Sequence, residues 1–285
     1  MPKDLYTLKA ESYSQVMEAI PELIEAYKNR GVLVIKGYNF SIEEHKNLAR
    51  LFGDNLDWHI NSSVEDSYID RFFIHGGHSD NPDREYNNGI NDYVLDWHIE
   101  QVFYKCPPLA GIWCMKEITC PPGSGNTLFA DSNEIYESLS EEDKKFLSGA
   151  VVSWDKPANN HVGPFYTRAV DTHPITSAPI IRVETDRGCY VMPALHSLHN
   201  RPATSDEVKR FEEIMASIKT KLTDDYELRY VQQWEPGDII VVDLFRMYHA
   251  VLGGFKYNER SMDLIVARSP LQCEDVYNDP NILIG

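Results

Sequence analysis

The chain has 285 residues, 27 of them Lys or Arg against 44 Asp or Glu, for a net charge of −17. At roughly 100–200 residues per domain and with 42% hydrophobic and 25% charged residues, this is a globular protein, which excludes disordered, collagen-like and coiled-coil classes. So acidic a balance disfavours phosphate backbones and anionic lipid, and argues against nucleic-acid or membrane partners. No apolar run approaches the ~20 residues of a membrane span, and the N-terminal MPKDLYTLKAESYS lacks the apolar core of a signal peptide. Cys106, Cys114, Cys120, Cys189 and Cys273 are odd in number and form no CxxC pair. They read as reduced thiols, and the expected location is cytoplasmic.

In chain order, residues 12–30 carry helical spacing (Val16, Ile20, Leu23, Ile24, Tyr27) behind a Ser12/Gln15 cap and ahead of Gly31. Val32–Lys36 follows as a short apolar strand. Ser41 and Glu44 open a second helix that is expected to turn Ile42, Leu48, Leu51 and Phe52 inward before Gly53. From residue 54 to 93 turn formers dominate, above all in HGGHSDNPDREYNNGIND (His75–Asp92). A loop of that length suggests a lid that orders over bound ligand. Strand-like runs come next at Tyr93–Leu95 leading into Trp97, Ala110–Met115, Thr127–Ala130, Pro179–Val183 and Cys189–Met192. Helices are expected at Asn133–Leu139, Glu141–Leu147 and Ser205–Leu222, the last capped by Thr204 and Glu207. Asp238–Val242 and Met262–Ala267 close the series as strands. Short strands with interspersed helices and no linker predict one α+β domain over residues 1–285, an antiparallel sandwich or barrel with helical cover.

Ten histidines include two followed at the second position by an acid, His78-Ser79-Asp80 and His98-Ile99-Glu100. On a strand, positions i and i+2 share a face, so either pair could hold a metal with a third, distant ligand. Two His and one carboxylate leave positions open and characterise non-haem Fe(II) oxygenases. The glycines, Asn81 and Pro82 around His78 make a poor scaffold, whereas YVLDWHIEQVFY can lock the rotamers of His98 and Glu100. His45 reads as lying on the polar side of its helix, and His161, His196 and His199 sit in loop-like text. His249 comes just past the end of the apolar strand that WEPGDIIVVD predicts.

The text RGVLVIKGYNFSIEEHKNLARLFG, then WHIEQVFYKCPPLAGIWCMKEITCPPGSGNTLFAD, then LRYVQQWEPGDIIVVDLFRMYHAVLGGFKYNERSM resembles the TauD/TfdA family of Fe(II)- and 2-oxoglutarate-dependent dioxygenases. Glu100 and His249 are 149 residues apart, GSGNT lies between them, and Arg260 follows His249 by eleven positions. The resemblance implies a double-stranded β-helix, or jelly roll. It makes His98, Glu100 and His249 the iron ligands and assigns Thr127 and Arg260 to the distal carboxylate of 2-oxoglutarate. Arg offers a planar fork matched to a carboxylate, and a Thr hydroxyl adds a donor. Glu100 stands where the family usually has Asp, a variant of its clavaminate-synthase-like branch, whose members act on amino acids. Asp243-Leu244-Phe245 replaces the family's DNR. Leu264 replaces a second Arg that sulfonate-using members place four positions after the first.

The activity so implied is oxidation of an aliphatic C–H, by hydroxylation, desaturation or oxidative decarboxylation, with Fe(II), 2-oxoglutarate and O2. The substrate would be a small amino-acid-like or carboxylate molecule, in secondary metabolism. Phe103, Phe245, Tyr248 and Leu264 are the expected pocket wall, with Arg168, Arg182 and Arg246 as candidate partners of a substrate anion. A protein or peptide hydroxylase on the same fold, or a non-enzymatic metal-binding jelly roll, are the rival readings. A homo-oligomer is left open.

Overall fold

The computed structural model describes residues 3–53, 55–58, 85–86, 93–102, 107–154, 165–185, 191–192, 196–197, 201–256 and 259–268. Two antiparallel-rich sheets face one another. The larger runs in the order Tyr6–Lys9, Val32–Lys36, Ile239–Asp243, Ala110–Ile118, Arg260–Arg268, Asn55–Trp58, and the smaller Arg229–Gln232, Thr127–Asp131, Met247–Leu252, Tyr93–Ile99. Only the first pair, Tyr6–Lys9 with Val32–Lys36, is parallel within these two sheets. Period-2 alternation splits each strand between two environments. Val34, Trp113, Ile240, Met262 and Leu264 of the larger sheet meet Phe129, Tyr230 and Met247 of the smaller in one core between the sheets.

Helices cover both outer faces. Leu33, Ile35, Ile112, Val241 and Ile265 turn outward from the larger sheet onto Val16, Leu23, Tyr27 and Leu48 of the N-terminal helices. Trp97, Ile99, Leu128, Ala130 and Tyr248 turn outward from the smaller sheet onto Ile135, Leu147, Phe211, Ile214 and Ile218. This is the jelly-roll α+β architecture the sequence predicts.

Several local expectations need correction. The helix expected over residues 12–30 is two helices, Tyr13–Glu18 and Ile20–Arg30, because Pro21 lacks an N–H and its ring conflicts with the carbonyl four residues back. Gly31 ends the second in the left-handed region at φ 70°, as a C-terminal glycine does. The capping boxes at Ser41/Glu44 and Thr204/Glu207 both form. In helix Ile42–Arg50, however, Ile42 and Leu51 are exposed while His45, Leu48 and Ala49 are buried. His45 is therefore not on a polar face: its Nε2 donates to the carbonyl of Ile112 at 2.9 Å. The segment His75–Asp92 lies outside the described residues except for Glu85–Tyr86, a short strand paired with Phe255–Lys256. His78 and Asp80 fall outside them too. Cys114 and Cys120 are free thiols, and among the described residues no helix is long and apolar enough to cross a membrane.

The burial of His45 carries a pH prediction. Desolvation lowers its pKa from 6.5 to about 4, against the smaller opposing effect of the Ile112 carbonyl. Below pH 6.5 the unfolded chain takes up a proton that the folded chain refuses, so stability is full above 6.5 and falls as the pH drops toward 4. The loss is on the order of 3 kcal/mol over that window. Chemical denaturation of the wild type and of His45→Gln at pH 7 and pH 4 checks it. The difference in stability between the two pH values should be smaller in the variant by roughly that amount.

Candidate active site

The inward positions of the smaller sheet carry its polar side chains. On Tyr93–Ile99, Trp97 and Ile99 point out to the helices, so His98 points in. On Met247–Leu252 the same alternation sends Tyr248 and Ala250 out and His249 in. Antiparallel pairing places His249 directly opposite His98 on one neighbour and opposite Phe129 on the other. The two imidazole rings are 4.0 Å apart between centroids. His249 thus lies within a strand of its own, not just past the end of Ile239–Asp243. Residues between Asp243 and Met247 turn the chain back, a reversal that the continuous run of apolar text conceals.

Glu100 follows His98 across the end of its strand. Its Oε2 lies 3.7 Å from His98 Nε2 and 3.5 Å from His249 Nε2, and all three side chains are buried. One donor atom from each falls within 4.8 Å of the others. Gln101 takes a left-handed φ of 54° immediately after Glu100, a conformation that costs a residue with a Cβ about 1–2 kcal/mol. The Arg268 guanidinium donates to Gln101 Oε1 and holds that turn to the larger sheet.

The donor chemistry fits a divalent metal. His98 Nδ1 lies 2.8 Å from the Asp96 carbonyl, which only a protonated Nδ1 can satisfy, so Nε2 presents a lone pair toward Glu100. Two imidazoles and a carboxylate converge in a buried space with the His98 lone pair turned toward Glu100, an arrangement that a cation stabilises.

Arg260 reaches the same space from the opposite sheet. Arg260, Met262 and Leu264 share the inward face of their strand, across a bulge between Ser261 and Met262. With Leu95, Glu100, Trp113, Thr127, His249 and Val251 they line one pocket. Arg260 is buried, and desolvation lowers its pKa to about 10. Its Nη2 donates to Thr127 Oγ1 at 3.0 Å, its Nε has no hydrogen-bond partner, and among the described residues no carboxylate pairs with it. A buried guanidinium without a counter-ion is costly, and a ligand carboxylate is the natural complement. Trp113 closes the pocket edge-on to the His249 ring at 5.2 Å.

Of the expected wall, Leu264 lines the pocket. Phe245 and Tyr248 are not brought to it. Phe245 packs with Leu109 and Ile180 beneath the Arg182 guanidinium, and Tyr248 faces the helices and donates to the Val183 carbonyl at 2.5 Å. Closeness in sequence to His249 misleads here, because neighbours on a strand face opposite ways. Phe103 lies outside the described residues. None of the three candidate arginines lines the pocket: Arg168 is exposed, Arg182 pairs with Asp171 at 2.9 Å, and Arg246 sits 3.6 Å from both Asp131 and Asp243.

Sequence reasoning missed two residues that touch site residues, Gln101 and Trp234, and a buried pair away from the pocket, His173 with Asp243. Trp234 Nε1 donates to Thr127 Oγ1 at 2.9 Å. His173 Nε2 lies 3.0 Å from Asp243 Oδ2, with both side chains fully buried. Asp243, with His173 and Arg246 against it, keeps this turn polar where Leu244 and Phe245 stand for the Asn and Arg of DNR. A turn former with its own polar network was the available signal for Asp243, but its partner lies 70 residues away in sequence.

The sequence pattern of the taurine catabolism dioxygenase TauD, TfdA family matches residues 7–266. The chain is 26% identical over 205 residues to the alpha-ketoglutarate-dependent dioxygenase oryG of Aspergillus oryzae, covering 66% of this chain and 57% of that protein. It is 24% identical to pentalenolactone F synthase of Streptomyces avermitilis, covering 65% and 62%. The matched region therefore spans about three fifths of each of these relatives. Among solved structures, a taurine dioxygenase from Burkholderia xenovorans superposes with a TM-score of 0.63 at 16% identity, covering 88% of this chain and 81% of that one. At that identity the likeness is one of fold.

Proposed function

The chain belongs to the TauD, TfdA family of dioxygenases, and from that membership we propose that it is an Fe(II)- and 2-oxoglutarate-dependent dioxygenase acting on a small amino-acid-like or carboxylate substrate. The observation that carries the reading is the pairing, across one pocket, of a His98/Glu100/His249 donor set with the buried Arg260 and Thr127. A metal site that only stabilised the fold would have no use for a buried arginine beside it that finds no counter-ion among the described residues. The overall change is substrate C–H plus O2 plus 2-oxoglutarate giving C–OH, succinate and CO2. Fe(II) bound by the three residues supplies the one-electron and O2 chemistry that side chains lack.

The protein's own part is placement. Arg260 and Thr127 anchor the distal carboxylate of 2-oxoglutarate, and the pocket length between them and the metal donors fixes where its 2-oxo acid end lies. Leu95, Val251, Met262, Leu264 and Trp113 wall the space with apolar surface and exclude water from it. The substrate class rests on the Glu100 variant, shared with amino-acid-oxidising members, and on the absence of a second pocket arginine among the described residues. A role in secondary metabolism accords with a relative named pentalenolactone F synthase. Release of succinate by the purified Fe(II)-loaded protein, screened over amino acids, amino-acid conjugates and small carboxylates, tests the assignment. No substrate-dependent succinate from any of these classes would count against it.

Leu264 adds a prediction about what is refused. It is buried on the pocket wall where sulfonate-using members carry an arginine, and Asp263 beside it turns away to Lys116 at 3.2 Å. A sulfonate desolvated against Leu264 would lose several kcal/mol, since among the described residues no pocket cation besides Arg260, which is committed to the cosubstrate, could offset it. Taurine should support less than about one hundredth of the succinate release given by the best amino-acid or carboxylate substrate. Comparable rates would overturn the substrate class.

A further inference from the structure

The Thr127 hydroxyl is held from two sides. Its oxygen has two lone pairs and one proton. Trp234 Nε1 donates to it at 2.9 Å and Arg260 Nη2 at 3.0 Å, so both lone pairs are taken. Neither donor can act as an acceptor in return: an indole N–H and a guanidinium only donate. Among the described residues no acceptor takes the hydroxyl proton, which is left to point into the pocket that Thr127 lines. Beside it, Arg260 Nε is a second buried donor with no partner among the described residues.

We propose that Trp234 is a positioning residue which, by occupying the second acceptor site of Thr127, makes that hydroxyl an obligate donor and so restricts this end of the pocket to an anionic, acceptor-only group. The inference rests on the reading of Arg260 and Thr127 as the anchor of the distal carboxylate, and adds the device that fixes its polarity. Without Trp234, the hydroxyl could rotate and offer a lone pair, admitting a neutral group that donates. With it, every polar atom facing the distal group is a donor. A carboxylate accepts from all of them, whereas a primary amide would set its N–H₂ against one. Trp234 precedes the Glu235-Pro236-Gly237 turn, and its ring also lies 5.8 Å from the Arg260 guanidinium carbon. Phe at this position keeps the aromatic face and removes only the donor.

The test is calorimetric binding to Mn(II)-loaded protein without oxygen, in the wild type, Trp234→Phe, Thr127→Val, the double variant and Arg260→Ala. The ligands are 2-oxoglutarate, its distal amide 2-oxoglutaramate, and 2-oxobutyrate, which keeps the 2-oxo acid end and has no distal carboxylate. Removing one hydrogen bond to a charged group is expected to weaken 2-oxoglutarate about ten- to hundredfold. Thr127→Val should do so; Trp234→Phe, which keeps the hydroxyl but frees it to rotate, should weaken binding by a smaller factor, and the double variant should be no weaker than Thr127→Val alone, since Trp234 acts only through that hydroxyl. The preference for 2-oxoglutarate over its amide should shrink in Trp234→Phe, and 2-oxobutyrate should bind all proteins equally. Unchanged 2-oxoglutarate binding in Trp234→Phe, losses that multiply in the double variant, or an equal loss for 2-oxobutyrate would each overturn the proposal. Arg260→Ala separates the two levels. If it leaves 2-oxoglutarate affinity intact, the anchor assignment itself fails; if it weakens binding while Trp234→Phe does not, only the role of Trp234 fails.

Discussion

Alanine at His98 or His249 should lower divalent-metal affinity by more than about a hundredfold, the scale reached when even the partners of metal ligands are removed. Either substitution leaves one imidazole and a carboxylate, with no further His, Cys, Asp or Glu among the described residues grouped close enough to replace the lost donor. The fold should survive. His249 lines the pocket, and neither His98 nor His249 belongs to the helix-packed layer, so thermal unfolding of the metal-free variants should stay within a few degrees of the metal-free wild type. His78→Ala should bind metal as the wild type does. Equilibrium dialysis against Mn(II) gives the affinities. Wild-type binding in His249→Ala, or a large loss in His78→Ala, would transfer the site to other residues. Glu100→Asp should retain binding at reduced affinity, because the charge persists but the carboxylate falls one methylene short of the position from which Glu100 now meets both imidazoles.

Arg260→Ala should weaken 2-oxoglutarate binding by about 2–5 kcal/mol, the range for removing one partner of a buried charge pair. That corresponds to roughly thirty- to several-thousandfold in the dissociation constant. Arg260→Lys should recover only part, since an ammonium lacks the planar fork and cannot keep the Thr127 contact and the ligand together. Because the guanidinium is buried without a counter-ion among the described residues, Arg260→Ala should not destabilise the ligand-free protein as breaking an ion pair would. A variant that loses the cosubstrate yet keeps its melting temperature distinguishes a binding arginine from a structural one. Saturation curves for 2-oxoglutarate together with melting curves decide the matter.

Much of this site is legible in the sequence because it obeys local rules. A strand alternates, so His98 and Glu100 share an aspect that Trp97 and Ile99 do not. The same period puts Arg260 in register with Met262 and Leu264. Caps are equally local, and Ser41/Glu44 and Thr204/Glu207 form as spaced. What escaped depends on partners far away in the chain. Nothing near His45 announces that the carbonyl of Ile112, 67 residues on, will draw it into the core. Trp234 and Thr127 are 107 residues apart, and Gln101 and Arg268 are 167 apart. Phe245 and Tyr248 went astray for the opposite reason: proximity to His249 suggested the pocket, while the turn and the strand period carried them to other layers. Pro21, by contrast, was in plain view, and its break in the first helix needs only the missing N–H.

The measurement that bears most directly on the account is the visible spectrum of the protein with Fe(II) and 2-oxoglutarate under exclusion of oxygen. If His98, Glu100 and His249 hold the metal and Arg260 and Thr127 hold the cosubstrate beside it, the wild type should develop a metal-to-ligand charge-transfer band that needs both additions. His98→Ala and His249→Ala should lack the band, and His78→Ala should retain it. A wild-type protein without the band at saturating Fe(II) and 2-oxoglutarate, or a His249→Ala protein that keeps it, would contradict the account.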